Sequence, residues 1–250
     1  MIKLTIQLIR HATLILNLNN KRILVDPVLN KKGVMPAIPD VPNTNANPLV
    51  DLPMDVSEIL NCDAVLITHT HSDHFDAAAS MLIPKDMTLL CQPADELKLK
   101  EFGFYNVHAI EKSFTWHGLT FNRTDGEHGH GELIKAMAPV SGFVISSPKE
   151  PRIYIAGDTV WCNKVKKSIK KFSPKIVVCN SGAASFSYGE PITMTASDIL
   201  ALRKTFPHIK IIAVHMDAWN HCKLSREALK KAIKNKNNIF VPYDGETLSF

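Results

Sequence analysis

The stretch Ala64-Val-Leu-Ile-Thr-His-Thr-His-Ser-Asp-His74 joins an uninterrupted apolar run to three histidines and an aspartate. A short apolar run bounded by polar residues is typical of a buried β-strand. Side chains two positions apart in an extended segment point to the same side, so His69 and His71 can bind one metal ion. Asp73 and His74 follow where the chain turns toward a predicted helix, so they can face a second metal ion beside the first. Imidazole and carboxylate ligands together favour zinc, iron or manganese over magnesium or calcium.

Potential ligands also follow other predicted strands. Asp158 comes directly after an apolar run, where Gly157 allows a close approach of the backbone. His215 ends another apolar run, and His128 and His130 lie in a glycine-containing loop after a predicted strand. A single histidine or aspartate at a strand end is about as often a buried hydrogen-bonding residue as a metal ligand. Together with the first motif, these segments predict a metal centre built from several parts of the chain.

Short apolar or alternating runs recur along the chain and are separated by segments of helical periodicity. The predicted strands are 3–9, 13–18, 22–25, 64–68, 88–91, 107–110, 119–123, 143–146, 152–156, 176–179, 211–214 and 239–241. The predicted helices are 76–83, 94–102, 163–172, 196–205 and 225–234, with Thr195 and Ser225 as N-caps of the last two. Strands interspersed with helices in both halves predict a layered α/β protein (α+β in some schemes), with residues 1–250 forming a single domain.

The composition excludes several classes of protein. Of the 250 residues 45% are hydrophobic and 21% are charged, which predicts a soluble globular domain and not a disordered chain. The chain contains no run near the roughly 18 apolar residues of a membrane span. Its alternating start lacks the apolar run of a signal peptide, so we expect a cytoplasmic protein. The five cysteines are widely spaced and form no Cys-x-x-Cys pair, which argues against a disulfide framework or a zinc ribbon.

The net charge of +5 lies largely in two lysine-rich segments, 164–175 and 223–236. Both segments have helical spacing. Solvated helix faces are therefore favoured over a nucleic-acid-binding surface.

Residues 30–53 interrupt the pattern, because they contain five prolines and no usable periodicity. A loop of that length within a compact domain is usually functional or disordered. We predict that it overhangs the metal centre and helps to select the substrate.

The order of these motifs resembles the metallo-β-lactamase superfamily. The resemblance rests on the acidic residue in Val25-Asp26-Pro27, the His-x-His-x-Asp-His motif, an isolated histidine, the aspartate of Gly157-Asp158-Thr159 and a late histidine at a strand end. Within the superfamily, the chain is most similar to the Zn-dependent hydrolase branch. The features that it shares with this branch are Arg10-His11-Ala12-Thr13, Val25-Asp26-Pro27 and the proline-rich stretch. That branch contains ascorbate-6-phosphate lactonase and N-acylphosphatidylethanolamine phospholipase D. The resemblance implies an αββα sandwich with the metal ions at one edge of two packed sheets.

The resemblance also implies a role for each candidate residue. His69, His71 and His128 would hold the first metal ion, Asp73, His74 and His215 the second, and Asp158 would bridge the two. Asp26 matches an acid that orients the ligands from behind. His128 is preferred to His130, since the ligand in this branch usually comes soon after the strand. His11 and His221 resemble residues that line the pocket, where each is a proton donor, a substrate contact or a structural residue. Asp73 and His221 are the expected catalytic residues.

The implied activity is that of a hydrolase with two divalent transition metal ions, zinc first and manganese or iron as alternatives. A hydroxide shared by the two ions would cleave a small ester, lactone, phosphoester or amide. The alternative is a metal-dependent nuclease acting on RNA or DNA, although such relatives usually carry an additional binding domain. A redox role is the third hypothesis, although oxygen-reducing relatives usually carry a flavodoxin-like domain. We expect a small-molecule substrate, no nucleic acid and no membrane span, and leave a homo-oligomer open.

Overall fold

Two mixed β-sheets form the centre of the protein. The structure is a computed structural model that describes residues 4–148, 150–234 and 236–250. The strands are β1 Thr5–Arg10, β2 Thr13–Leu18, β3 Lys21–Val25, β4 Ala64–Ile67, β5 Thr88–Cys91, β6 Val107–Ala109, β7 Ser113–Trp116, β8 Leu119–Asp125, β9 Ser141–Ser147, β10 Glu150–Ile155, β11 Ile176–Asn180, β12 Lys210–Val214, β13 Ile239–Phe240 and β14 Thr247–Ser249. Within the described residues, one seven-stranded sheet has the order β14-β1-β2-β3-β4-β5-β6 and the other the order β13-β12-β11-β10-β9-β8-β7.

Each sheet is antiparallel in one part and parallel in the other. In the first sheet β3, β4, β5 and β6 run parallel, and in the second β10, β11, β12 and β13 do so. The carboxyl ends of parallel strands meet at the same edge of a sheet, where ligands of open α/β sheets usually bind. Polar residues that directly follow these strands are therefore brought to one edge.

Three hydrophobic clusters define the four layers. The helices are α1 Val56–Leu60, α2 Ala77–Leu82, α3 Glu96–Glu101, α4 Leu133–Ala136, α5 Asn163–Phe172, α6 Ala196–Thr205 and α7 Arg226–Ile233. The central cluster joins the inner faces of the two sheets. A second cluster packs α1, α2 and α3 on the outside of the first sheet, and a third packs α5, α6 and α7 on the outside of the second. The expected αββα sandwich is confirmed.

The side-chain pattern of β4 shows how its sequence specifies these layers. Ala64 and Leu66 belong to the cluster between the sheets, while Val65 and Ile67 belong to the cluster under the helices. Successive strand residues point to opposite faces, so a parallel strand covered on both faces must be apolar throughout. All four residues are fully buried.

The sequence signals for helix N-termini and for the lysine-rich helix face agree with the structure. The Thr195 side chain accepts a hydrogen bond from the backbone N–H of Asp198, whose carboxylate in turn accepts one from the Thr195 N–H, so the capping box is confirmed. The Ser225 side chain accepts from Ala228 N, as predicted for an N-cap. On α5, Val165 and Ile169 are buried while most of the lysines lie exposed, which confirms a solvated face.

Several element bounds differ from the predictions. The first strand begins at Thr5, and Lys3, where it was expected to begin, lies outside the described residues. The predicted helix 94–102 is a short 3₁₀ turn, Pro93–Asp95, followed by α3. The short elements β7, β14, α1 and α4 were not predicted. The five cysteines are free thiols, in agreement with the absence of a disulfide framework.

The proline-rich segment has no regular strand or helix up to α1, apart from an isolated bridge between Met35 and Asn47. It packs against the loop that follows β12, where Leu49 N donates to Ala218 O over 2.8 Å. The segment is thus a long loop, as its prolines and lack of periodicity predicted, and its role in substrate selection stays a prediction. Among the helices of the described residues, none has the length and apolar character that crossing a membrane requires.

Candidate metal centre

The predicted ligands converge on one edge of the two sheets. His69, His71, Asp73 and His74 follow β4, Asp158 follows β10, and His215 follows β12, all at the carboxyl ends of parallel strands. His128 arrives from the loop after the antiparallel strand β8. Four segments that are far apart in sequence therefore supply one cluster, and most of its members are buried.

The first group consists of His69, His71 and His128, whose candidate ligand atoms all lie within 4.8 Å of one another. Nε2 of His69 is 3.0 Å from Nδ1 of His71. Burial and the neighbouring imidazoles lower the pKa of His69 well below its ordinary value. Burial also lowers the pKa of His71. Both rings are therefore neutral near pH 7, and each offers a lone pair to a metal ion.

The second group consists of Asp73, His74 and His215, and it is accompanied by His11. Oδ2 of Asp73 is 3.4 Å from Nε2 of His215 and 4.0 Å from Nε2 of His74. All four side chains are buried. This group matches the predicted second set of ligands, and His11 is an addition to it.

Asp158 lies between the two groups, and each of its oxygens faces one of them. Oδ1 is 3.3 Å from Nε2 of His74 and 3.5 Å from Nε2 of His215. Oδ2 is 3.3 Å from Nε2 of His128. A single carboxylate thus has one oxygen directed at each group, which is the arrangement that a bridging ligand requires.

A buried amide holds this carboxylate in place. Nδ2 of Asn180 donates a hydrogen bond of 2.6 Å to Oδ1 of Asp158. Asn180 ends β11, the strand between β10 and β12. Sequence reasoning missed this residue, although a polar side chain at the end of an apolar strand is the same signal that identified Asp158.

The remote nitrogens of the histidine rings are occupied by other groups. Oδ2 of Asp26 is 2.8 Å from Nδ1 of His74, and the same carboxylate accepts hydrogen bonds from the N–H and hydroxyl of Thr68. Nδ1 of His128 donates to the carbonyl of Ile192 over 2.9 Å. Such partners fix the orientation of a metal-binding histidine, so the Nε2 atoms of His74 and His128 face inward.

Backbone strain is concentrated at this edge. His11, Asp26 and His215 have φ angles of 60°, 44° and 68°, in the left-handed region that residues other than glycine seldom adopt. Each such residue costs on the order of 1 kcal/mol. Strain of this kind persists where the surroundings determine the conformation, and it tends to accumulate at functional sites.

The donor set fits a metal centre. Within the described chain, the buried Nε2 atoms of His74 and His215 have no hydrogen-bond partner. A buried polar group without a partner costs about 1–3 kcal/mol, and a metal ion would remove that cost. The two atoms belong to loops after different strands, and both lie near Oδ1 of Asp158.

The charges at the centre also favour a cation. Burial alone would lower the pKa of His74, but the carboxylates of Asp158, Asp26 and Asp73 raise it to about 10. Burial would raise the pKa of Asp158, yet the imidazoles around it, His215 first, hold it well below its ordinary value. The proton on His74 thus places positive charge among three carboxylates, where a divalent ion would be stabilised in its stead.

The structure separates residues that the sequence left together. His128 is buried within the first group, whereas His130 is exposed and lies 3.7 Å from Glu190. His11 is fully buried, stacks on Trp219, and has its Nε2 3.3 Å from Oδ2 of Asp73. It does not line the pocket described below, and its contact with Asp73 favours the structural role among those that the sequence left open.

A small pocket opens directly above the cluster. Its volume is about 160 Å³. The polar lining consists of His71, Ser72, Asp73, His128 and His221, and the apolar lining of Ile38, Met137, Phe186 and Ile192. No lysine or arginine of the described chain lines it. Burial lowers the pKa of His221 to about 4, so this imidazole is neutral at pH 7.

An αββα sandwich with a histidine and aspartate cluster at the carboxyl edge of its sheets defines a class of metal-dependent hydrolases. The chain belongs to the β-lactamase superfamily, because the profile of the "Beta-lactamase superfamily domain" matches residues 21–216. The resemblance that the motifs indicated is thereby confirmed. The protein is a metal-dependent hydrolase of the metallo-β-lactamase fold.

Similar proteins cover the whole chain. The UPF0173 protein YddR of Bacillus subtilis (strain 168) is 41% identical over an alignment of 249 positions that covers 97% of this chain and 98% of that protein. The crystal structure of an isothiocyanate hydrolase from Delia radicum gut bacteria is 37% identical, with a TM-score of 0.94 over 98% of this chain and 99% of that one. A possible metal-dependent hydrolase from Veillonella parvula is 35% identical, with a TM-score of 0.96 over 99% and 100% of the two chains.

Proposed function

We propose that the protein hydrolyses a small, uncharged electrophile with an apolar substituent, and that it uses two divalent metal ions. Isothiocyanates are the first candidates, followed by small esters, lactones and amides. The observation that carries the proposal is the position of Asp158, whose two oxygens face two groups of ligands beneath a pocket without cationic side chains.

His69, His71 and His128 would hold one ion, Asp73, His74 and His215 the other, and Asp158 both. Zinc suits this set of imidazoles and carboxylates, and manganese or iron are the alternatives. When bound, the two ions supply a water of lowered pKa and polarise the bond to be cleaved. One bridging carboxylate offsets the repulsion between the two cations.

Asp73 and His221 act on the substrate side of the centre. Asp73 lines the pocket, so its Oδ2 can accept a hydrogen bond from the attacking water and orient it. His11 donates to that same oxygen from behind and fixes the carboxylate. His221 lines the pocket as a neutral imidazole, and its Nδ1 has no hydrogen-bond partner among the described residues. It is suited to donate a hydrogen bond to the substrate and not to supply a free proton.

The pocket limits the size and charge of the substrate. A cavity of about 150 Å³ is sufficient for a benzene molecule, so the present pocket accepts a group of about that size. The walls formed by Ile38, Met137, Phe186 and Ile192 favour an apolar group there. A phosphoester or a nucleic acid would find no cationic side chain in this lining, so the nuclease alternative receives no support from the pocket.

The similarity to an isothiocyanate hydrolase supports the choice of first substrate. Water adds to the central carbon of R–N=C=S, and the resulting thiocarbamate releases carbonyl sulfide and leaves the amine R–NH₂. Both the linear head and an apolar R group are compatible with a narrow pocket of this lining.

The decisive experiment is turnover of a substrate panel by protein reconstituted with zinc, manganese or iron. The panel contains allyl and benzyl isothiocyanate, a phenyl ester, a γ-lactone, a β-lactam and a phosphodiester. We expect amine release from an isothiocyanate at a kcat/KM at least about ten-fold above that for the phosphodiester, and loss of turnover after chelation. A preference for the phosphodiester would contradict the proposed substrate class, and full activity without metal would contradict the mechanism.

A further inference from the structure

The proline-rich loop is joined to the metal side of the protein by two buried asparagines. The backbone N–H of Asn220 donates to Oδ1 of Asn47 over 2.9 Å, and Nδ2 of Asn47 donates to Oδ1 of Asn220 over 2.8 Å. Asn47 is 0% exposed and Asn220 is 3% exposed. They are 173 positions apart in sequence, so this pair is a purely tertiary connection.

Asn220 also takes the place of a neighbouring strand for Ile38. Its Oδ1 accepts from the N–H of Ile38 over 3.0 Å, and its Nδ2 donates to the carbonyl of Ile38 over 3.1 Å. The same Nδ2 donates to the carbonyl of Asn43 over 2.7 Å. One side-chain amide therefore satisfies both backbone groups of Ile38, in a loop that has almost no regular hydrogen bonding of its own.

Arg10 closes the base of the same loop. Its buried guanidinium donates to the carbonyls of Val28, Asn30 and Val50, which lie at the two ends of the loop. The loop is thus held at its base by Arg10 and at its middle by Asn220. It is constructed as a fixed part of the protein rather than as a mobile lid.

The fixed residue Ile38 is also part of the pocket wall. Phe186 and His221 line the same pocket, and His221 directly follows Asn220. The loop of Phe186 is connected as well, because Ser187 donates to the carbonyl of Asp40 through both its N–H and its hydroxyl. Asn220 therefore connects the position of an apolar residue of the wall with that of a polar group that lines the same pocket.

We infer that Asn220 is a positioning residue that sets the width of the pocket, and hence the size of the apolar substituent that the enzyme accepts. The selection of substrates by size rests on the proposed function, whereas the fixing of Ile38 by Asn220 does not. Loss of the amide releases Ile38, which widens the opening and weakens discrimination by size.

The structural part is tested by hydrogen exchange of the metal-loaded protein. In Asn220→Ala and in Asn47→Ala, amides of residues 35–47 are expected to exchange about ten-fold faster than in the wild-type protein, because the buried bonds that hold them are lost. Asn47→Ala acts from the loop side and retains the Asn220 side chain with its bonds to Ile38 and Asn43. The matched control is Asn45→Ala, whose exposed side chain in the same loop makes none of these contacts. Unchanged exchange in both variants would overturn the inference.

The specificity part is tested with methyl, propyl, benzyl and naphthylmethyl isothiocyanates. The kcat/KM for the methyl compound divided by that for the naphthylmethyl compound is expected to fall about ten-fold in Asn220→Ala and in Asn47→Ala. The metal content should stay at the wild-type value. Ile38→Ala should lower the ratio without faster exchange, because it widens the pocket without releasing the loop. Faster exchange with an unchanged ratio would overturn the role in specificity. If the wild-type protein cleaves none of the four, the proposed substrate is wrong, and the exchange measurement still decides whether Asn220 fixes the wall.

Discussion

Oδ2 of Asp26 lies 2.8 Å from Nδ1 of His74, and both side chains are excluded from solvent. The same carboxylate accepts hydrogen bonds of 2.7 Å from the N–H and the hydroxyl of Thr68, the residue before the first histidine of the motif. One acid at the end of β3 therefore orients the start of the motif and its last member. The motif at the end of β4 is prepared for metal binding by a neighbouring strand.

The change Asp26→Asn should weaken binding of the metal ion that Asp73, His74 and His215 would hold about 10–100-fold, which is the usual effect of removing a partner behind a metal ligand. The amide cannot accept the His74 proton and the Thr68 bonds in the same way, so the imidazole loses its fixed tautomer. Competition with a fluorescent chelator measures the affinity. Asp63→Asn is the matched control, since its carboxylate lies directly before β4 but pairs with the half-buried Lys21, away from the cluster. Equal affinities in Asp26→Asn and the wild-type protein would contradict the role of Asp26.

Asp158→Asn should reduce metal content from about two equivalents toward one or none, and lower turnover at least about 100-fold. The amide has nearly the same shape but lacks the charge that offsets two cations. Elemental analysis and turnover are measured on the same preparation, and circular dichroism verifies the fold. Asn180→Ala should have a smaller effect in the same direction, because it only removes the bond that holds Asp158. A fully active Asp158→Asn protein with both ions would show that another group bridges them.

The cluster of candidate metal ligands was predictable because its signal is local. Four of them occupy six consecutive positions after β4, and Asp158 and His215 directly follow apolar strands, so the parallel strands bring these six residues to one edge. His128 instead comes from the glycine-containing loop after the antiparallel strand β8. The layers were predictable for a similar reason, since strands such as β4 are apolar throughout. The short edge strand β7 was missed because its residues are alternately exposed and only half-buried, which leaves little periodic apolar signal.

The pocket could not be predicted in the same way. Ile38, Met137 and Phe186 come from separate loops, and their approach depends on tertiary hydrogen bonds such as the Asn47–Asn220 pair. The roles of His11 and His221 were inseparable for the same reason. His11 lies behind Asp73 and His221 lines the pocket, and only the position of the loops determines these two roles.

His128→Ala and His130→Ala form a matched pair that tests the first group. His128 is buried with its Nε2 3.3 Å from Oδ2 of Asp158, whereas His130 is exposed beside Glu190. We expect His128→Ala to lose one metal equivalent and at least about 100-fold in turnover, and His130→Ala to stay within about two-fold of the wild-type protein. Metal analysis and kcat/KM are the measurements. A larger loss in His130→Ala would reverse the assignment of the ligand.

Metal binding should release protons, and the affinity for the metal ion should therefore rise with pH. In the metal-free chain the carboxylates of Asp158, Asp26 and Asp73 overcome the effect of burial and raise the pKa of His74 to about 10. At pH 8 this imidazole therefore carries a proton that a metal ion must displace, so the affinity should rise with pH until the pH reaches about 10. Because one proton is exchanged at this residue, the apparent Kd should fall about ten-fold per pH unit between pH 7 and 9.

Calorimetric titrations with zinc in two buffers of different ionisation enthalpy measure the number of protons released, which should be at least about one per chain. His130→Gln should release the same number, while His74→Gln should release fewer, and a heat of binding that does not depend on the buffer would refute this prediction.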